Sequence, residues 1–378
     1  MSVGDLLVVA GEASGDLHGG RLLAELKALV PELRPFGLGG DEMGRTGFEA
    51  LAHSSEISVV GFTEVLRILR RALRIFRMLL AETDRRRAAW AVLIDFPDFN
   101  LRLAAKLRRR GVRVIYYISP QVWAWRRRRV TQIARTVDRM LVLFPFEVDF
   151  YRRHGVEAVH VGHPLIDEIP TLVNVWDRSG VPGPVVLSLL PGSRSSEVRS
   201  LLPPMLASVR LLAATLPVKV QLIQAPTVPA ELFDRLLAGA GVELVRVRED
   251  RFRAIAQSHL ALCASGTATI EVGLLGTPMI VLYRLTWWSY SLARLLVRLP
   301  HFSMVNLVLG EAVVPELLQG EVEPRRLCAE AVRLLGDPEK IAAMRRSLAG
   351  LRQRLGSGGA SRRAAAEIAA RLAEEVPA

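Results

Sequence analysis

The sequence predicts an α/β protein built from two doubly wound parallel sheets that face a cleft. Three observations carry this. Short apolar runs alternate with helical patterns along most of the chain, as expected of strands covered on both faces by crossover helices. Several runs end in a Gly/Ser-rich loop that opens a helix. The first is Gly11-Glu12-Ala13-Ser14-Gly15-Asp16; later come Pro191-Gly192-Ser193-Arg194 and Ser265-Gly266-Thr267-Ala268-Thr269. Finally, 378 residues exceed one ordinary core, so two domains are expected. A helix N-terminus offers free backbone N–H groups and a partial positive charge, which suit phosphate. Such loops in both halves imply a nucleotide and a second substrate meeting in the cleft.

In the first half, strands are expected at Leu6–Ala10, Arg34–Leu38, Ala91–Asp95, Arg113–Tyr117, Arg139–Leu143 and Ala158–His160. Helices start near Leu17, Thr63, Phe99 and Phe146. The pattern breaks at Val173–Pro184, where Asn174, Asp177, Gly180, Pro182, Gly183 and Pro184 cluster as in a linker. The scheme then repeats, with strands at Val185–Leu190, Lys219–Gln224, Leu244–Val247, Leu260–Ala264 and Met279–Tyr283. From Pro338 the chain reads as helical, and Gly356-Ser357-Gly358-Gly359 interrupts it before an amphipathic helix at Ala360–Glu375. The expected organisation is an N-terminal domain over 1–172, a linker over 173–184, a C-terminal domain over 185–340 and C-terminal helices over 341–378.

The net charge is +12, nearly all of it from Arg, so anionic partners are expected: phosphates, nucleic acid or an acidic membrane face. Cys263 and Cys328 stand far apart and supply neither a disulfide framework nor metal-ligand spacing. No stretch of about 18 or more uncharged apolar residues occurs, so no spanning helix is expected. No signal peptide is recognised before the first strand, which places the protein in the cytosol or on the cytosolic face of a membrane.

The segment Ile94-Asp95-Phe96-Pro97-Asp98-Phe99-Asn100 puts two carboxylates at the carboxyl edge of a sheet, where open α/β folds place ligands. Asp98 there is either the N-cap of the following helix or a base for an attacking hydroxyl. Arg194, beside the N–H groups of Gly192 and Ser193, suits a diphosphate leaving group, against the alternative of an ordinary surface Arg. Glu271 lies one helical turn beyond Thr267 and can accept both ribose hydroxyls while the Ser265-Gly266-Thr267 loop holds phosphate; an acidic first turn is the plainer alternative. Asp16, His18 and His163 are acid/base candidates, although a lone His is more often structural. No His or Cys pair has metal spacing and no Asp-x-Asp triplet occurs, so metal-independent chemistry without a cofactor is expected.

Over Thr63–Leu80, Arg67, Arg70, Arg71, Arg74 and Arg77 share one third of a helix, with Val65, Leu69, Leu73, Phe76 and Leu80 opposite. Such a basic amphipathic helix suits an anionic membrane surface; the alternative is a helix packed on the sheet with a solvated Arg face. The stretch from Trp287 and Trp288 through Arg294 and Arg298 adds interfacial aromatics. Trp123-Ala124-Trp125 before Arg126–Arg129 could stack on nucleic acid or hold a lipid head group. No helix-turn-helix, zinc or RNA-recognition signature supports nucleic acid, which is not expected as a partner.

At these residues the chain resembles the lipid-A-disaccharide synthases, bacterial transferases with two Rossmann-like domains of the glycosyltransferase-B type. The matching stretches are Gly11–Asp16, Gly61–Leu66, Asp95–Asn100, Ser119–Trp125, Val161–Pro164, Leu190–Arg194 and Ser265–Glu271, followed by Asn306, Val314–Gln319 and Gly358–Ser361. They run nearly end to end. Phe96 stands where the family usually carries a smaller residue, and Gln121 where Ser is usual.

The resemblance implies that a UDP-2,3-diacylglucosamine donor meets a 2,3-diacylglucosamine 1-phosphate acceptor, whose 6-hydroxyl attacks with inversion. The product is a β-1,6-linked disaccharide 1-phosphate. On this reading Asp98 is the general base, while Gly192, Ser193, Arg194, Ser265, Gly266 and Thr267 hold the diphosphate and Glu271 the ribose. Glu12, Ser14, Gly15, Asp16, Asn100, His163 and Asn306 lie on the acceptor side or in the cleft. The basic helix reaches lipids on the inner face of the bacterial inner membrane, and the last helix returns to the first domain. Homodimer formation is left open. The competing readings are a transferase acting on a lipid-linked peptidoglycan precursor, a UDP-N-acetylglucosamine 2-epimerase, and a non-catalytic basic binding protein.

Overall fold

The computed structural model describes residues 4–57, 65–123, 128–169, 183–284 and 301–373. Most of the linker segment, most of Gly61–Leu66, Ala124–Arg127 and the Trp287–Arg298 stretch lie outside the described residues. The chain divides into two compact units, Met1–Asp167 with Gly356–Ala378, and Glu168–Leu355.

The first unit runs β1 (Asp5–Ala10), α1 (Ala13–Leu29), β2 (Arg34–Gly39), α2 (Asp41–Gly44), β3 (Glu49–His53), α3 (Val65–Arg86) and β4 (Trp90–Ile94). It continues with α4 (Pro97–Arg108), β5 (Arg113–Tyr117), α5 (Arg128–Thr136), β6 (Arg139–Val142), α6 (Pro145–Arg152), β7 (Ala158–His160) and α7 (Leu165–Glu168). Its sheet has seven parallel strands in the order β3-β2-β1-β4-β5-β6-β7. β4 is buried at every position, as a central strand covered by helices on both faces must be. The order reverses between β1 and β4, where Ala10 lies opposite Ile94. The loops after these two strands therefore emerge side by side, at the kind of switch point where such sheets bind ligands.

The second unit runs β8 (Val185–Leu190), α8 (Ser195–Ala213), β9 (Val218–Ile223), α9 (Ala230–Leu237), β10 (Leu244–Val247), α10 (Arg251–Ala256), β11 (Leu260–Ala264) and α11 (Thr267–Leu274). Then follow β12 (Met279–Tyr283), α12 (Met304–Leu309), β13 (Glu316–Leu318), α13 (Pro324–Leu335) and α14 (Pro338–Leu355). Its six parallel strands take the order β10-β9-β8-β11-β12-β13. The switch point falls between β8 and β11, with Leu190 opposite Cys263. This brings the second and third Gly/Ser loops together. The unit extends to Leu355 rather than ending at 340, because α14 packs on α11 and α12.

The final helix, α15 (Ala360–Ala373), belongs to the first unit and packs on α1. Its buried face is mostly alanine, which permits close approach. Asp167 accepts from the N–H groups of Gly359 (2.7 Å) and Ala360 (3.3 Å) at its start, and Arg363 donates to the Val161 carbonyl at 2.9 Å. Two edge strands, β3 and β13, are absent from the sequence reading. Both are short and carry polar residues, so neither shows an apolar run.

Candidate active site

The first switch point is a strained turn. Asp95 and Phe96 follow β4 with φ of 46° and 49°, both in the left-handed region that side chains disfavour. The turn is held from three directions. The Asp95 N–H donates to Tyr117 O at 3.0 Å. The Asp95 carbonyl accepts from Asn100 Nδ2 (2.8 Å) and from the Tyr116 hydroxyl (2.5 Å). Asn100 Nδ2 also donates to Ile94 O at 3.2 Å, so this buried residue, read as an acceptor contact, is a brace for the turn. The Phe96 ring lies over Gly11, where a Cβ would run into it. Phe96 contacts Phe99 at 5.6 Å, and Phe99 meets Phe76 of α3 edge-on at 5.4 Å.

The two carboxylates of this segment have different surroundings. Burial pushes the Asp95 carboxyl up to about 6, with the charge of Glu12 adding to the effect. Asp98 is the second residue of α4, its side chain is 70% exposed, and it is ion-paired with Arg129. The helix N-cap is Phe96, so Asp98 is not the cap either. Of the two, Asp95 has the features of a base tuned toward neutral pH. The family resemblance assigned the base role to Asp98; the burial that sets the two carboxylates apart is not visible in the motif.

The first Gly/Ser loop divides in function. Glu12 is the exposed N-cap residue of α1, and Ser14 is exposed beside it, while Gly15 is buried. Asp16 is buried and its carboxylate accepts from the N–H groups of Gly40 (2.7 Å), Glu42 (3.0 Å) and Met43 (3.2 Å). It caps α2 and is not an open acid/base group. His163 is buried against Phe144, its Nδ1 accepts from Leu165 N at 3.2 Å, and burial pushes it down to about 3. It stays neutral near pH 7 and is a structural histidine. His18 lies half-buried in α1.

At the second switch point Gly192 has a φ of 115°. A Cβ there would meet the carboxylate of Glu197. Glu197 Oε2 accepts from the N–H groups of Ser193 (3.0 Å) and Arg194 (3.3 Å), and Oε1 from Arg194 Nη1 (3.2 Å). The groups read as a diphosphate cradle thus hold a carboxylate of the chain itself. Arg194 is 79% exposed and reaches solvent beyond this contact. Thr227 Oγ1 fixes the loop from below by donating to Ser193 O at 2.7 Å.

In the neighbouring loop Ser265 Oγ donates to Phe302 O at 2.8 Å, Gly266 is the N-cap of α11, and Thr267 is exposed. Glu271 is mostly buried and pairs with Arg251 at 3.2 Å; burial raises its carboxyl while Arg251 opposes the rise. Asn306, read as a cleft residue, is fully buried. Its amide donates to Val314 O (2.9 Å) and Glu316 Oε1 (2.8 Å) and accepts from Val313 N and Val314 N. It staples the 313–316 segment, whose Glu316 carboxylate in turn accepts from the N–H groups of Phe302 and Ser303.

The amphipathic helix α3 presents Arg70, Arg71, Arg74 and Arg77 to solvent. Arg71 is paired with Glu56 at 2.8 Å. The apolar stripe is covered at its C-terminal end, where Ile75, Leu79 and Leu80 are buried, and uncovered at its N-terminal end, where Leu69 and Leu73 are 52% and 47% exposed. Phe76, read as membrane-facing, packs instead on the core through Phe99. The side chain of Arg67 lies outside the described residues. Trp123 is buried, with its indole donating to Glu147 at 3.1 Å, and offers no stacking face. Among the described residues no helix is long and apolar enough to cross a membrane.

Sequence reasoning missed Asp95 as the tuned carboxylate, together with Glu197, Arg129 and Arg251. Asp95 was visible as one of the two carboxylates at the sheet edge, and Glu197 left a local signal, since an acid three residues after the N-cap completes a capping box.

Two parallel sheets, each with its loops gathered at a switch point, define an α/β protein of the glycosyltransferase-B class. A glycosyltransferase of kitacinnamycin shares the fold, with a TM-score of 0.61 at 19% identity over 98% of this chain and 99% of that one. So does a UDP-GlcNAc 2-epimerase from Neisseria meningitidis bound to UDP-GlcNAc, with a TM-score of 0.57 at 13% identity over 92% and 97%. At those identities the likeness shows the fold alone. The profile of the lipid-A-disaccharide synthetase family matches residues 6–371. A lipid-A-disaccharide synthase of Anaeromyxobacter dehalogenans (strain 2CP-1) is 45% identical over 368 residues, covering 96% of each chain. The chain belongs to the lipid-A-disaccharide synthetase family and is a glycosyltransferase of lipid A disaccharide synthesis, using a UDP-sugar donor and a sugar-phosphate acceptor.

Proposed function

We propose that the chain joins UDP-2,3-diacylglucosamine to 2,3-diacylglucosamine 1-phosphate, with Asp95 as the general base. The observation that carries this assignment is the Asp95 carboxyl itself: raised to about 6 and held on a braced, strained turn at the switch point. Asp95 takes the proton from the acceptor 6-hydroxyl as that oxygen attacks the anomeric carbon. The bond from this carbon to the diphosphate oxygen breaks, the electron pair leaves with UDP, and the anomeric configuration inverts. Asp98 and its partner Arg129 flank the acceptor side, with Glu12 and Ser14 nearby.

In the second unit, the N–H groups of Ser193 and Arg194, the Arg194 guanidinium and the Ser265-Gly266-Thr267 loop take up the charge that develops on the departing diphosphate. Glu271, steadied by Arg251, accepts from the ribose. The diphosphate must displace Glu197 to reach its donors. Both substrates carry acyl chains, so the enzyme meets them at a surface. The exposed Leu69 and Leu73 among Arg70, Arg74 and Arg77 support docking of α3 on the inner face of an anionic membrane.

The test is a transfer assay with both lipid substrates and a chelator, read by mass spectrometry. A disaccharide 1-phosphate with matching UDP supports the proposal. Bound UDP-sugar without product would leave the donor side standing and refute the acceptor.

A further inference from the structure

One buried carboxylate of the first unit has no part in the chemistry above. Glu147, in the first turn of α6, is 2% exposed. Its Oε1 accepts from the Trp123 indole at 3.1 Å and its Oε2 from Phe144 N at 3.1 Å, and it is also hydrogen-bonded by Ser119 and the Leu143 backbone. All these partners are neutral. Burial pushes the carboxyl up to about 7. An apolar residue of similar volume would fill the space without the cost of burying a charge. What the carboxylate does that an apolar residue cannot is tie three stretches together: the Ser119–Trp123 loop after β5, the turn before α6, and α6 itself.

That loop leads toward the Asp95 turn. Ser119 Oγ shares a hydrogen bond of 2.7 Å with the Tyr151 hydroxyl. Tyr116 and Tyr117, at the end of β5 just before this loop, hold the Asp95 turn: the Tyr116 hydroxyl donates to the Asp95 carbonyl, and the Tyr117 carbonyl accepts from the Asp95 N–H. β5 also pairs directly with β4, with Tyr117 opposite Ile94. We propose that Glu147 is a positioning residue for glycosyl transfer: it anchors the Ser119–Trp123 loop and, through the adjoining Tyr116–Tyr117 end of β5, steadies the turn that carries Asp95. This rests on the reading of Asp95 as the base.

The test is steady-state kinetics on the full chain for E147Q, W123F, the double variant and D95N, with melting temperatures measured alongside. The expected result is a kcat about tenfold lower in E147Q and in W123F, with KM for the UDP-sugar within about twofold of wild type. The double variant should be no slower than the worse single variant, because both break one contact. A structural residue would lower the melting temperature and leave kcat per folded molecule unchanged; that outcome, or losses that multiply in the double variant, overturns the proposal. If E147Q fails to fold, W123F decides alone, since it removes little more than the indole donor, and wild-type kcat there is a refutation. A D95N variant that turns over normally removes the base reading and this inference with it.

Discussion

Replacing Asp95 by Asn should abolish turnover and make the first unit more stable at the same time. Burial, with help from Glu12, lifts the Asp95 carboxyl from 3.8 to about 6. At about 1.4 kcal/mol for each tenfold change, the difference is worth about 3 kcal/mol. The side chain keeps some access to solvent, which reduces this to about 1.5 kcal/mol. The folded-state value lies above the unfolded one, so the native state binds more protons between about pH 4 and pH 6. Stability therefore falls as pH rises through that window and stays lower above it. Asn has no charge to bury. D95N should melt about 3–6 °C higher than wild type at pH 8 and equally at pH 4. Its turnover should drop by about 10²–10⁴-fold, the usual worth of a general base, and wild-type kcat/KM should rise with pH through about 6. D98N should stay within about tenfold of wild type, because its exposed pair with Arg129 contributes little. The measurements are thermal melts at the two pH values and initial rates of UDP release. A D95N variant that melts lower than wild type at pH 8, or an inactive D98N beside an active D95N, would refute the assignment.

Glu197 holds the N–H groups proposed for the diphosphate, so E197Q should bind UDP about fivefold to tenfold more tightly by calorimetry, while R194A binds it at least about tenfold more weakly. Weaker binding by E197Q would mean that Glu197 serves the site rather than blocking it. On anionic vesicles, Arg70, Arg74 and Arg77 together are worth about 3 kcal/mol, or two decades of partition. Changing them to Ser should release the protein in flotation, L69S/L73S should weaken binding further, and equal flotation of all forms would sink the membrane reading. Glu147, raised from 4.5 to about 7, destabilises the folded state as pH rises through that range, by a quantity of order 3 kcal/mol. The wild-type melting temperature should fall between pH 5 and pH 8, and E147Q should lose most of that fall; an unchanged slope would show that Glu147 is ionised throughout.

Chain order and local chemistry alone determined the two parallel sheets, the loops after β1, β8 and β11, and the amphipathic character of α3. Each depends on a short pattern: an apolar run, a Gly or Ser after it, a helical repeat of Arg. The edge strands β3 and β13 escaped because half-covered strands keep polar residues such as Glu49 and Glu316. The candidate site was legible as a set of loops but not as a set of roles. Asp95 and Asp98 are three residues apart, yet one is tuned by burial beside Glu12 and the other is exposed beside Arg129. Asp16, His163 and Asn306 have catalytic side chains in principle and are spent on capping and stapling. Phe76 belongs to the apolar stripe of α3 by periodicity, and only the packing of Phe99 beneath it shows that the core, not a membrane, covers it. In each case what decides is how much water reaches the group and which partner faces it. Those partners come from strands and helices distant in sequence, so only the tertiary structure sets them.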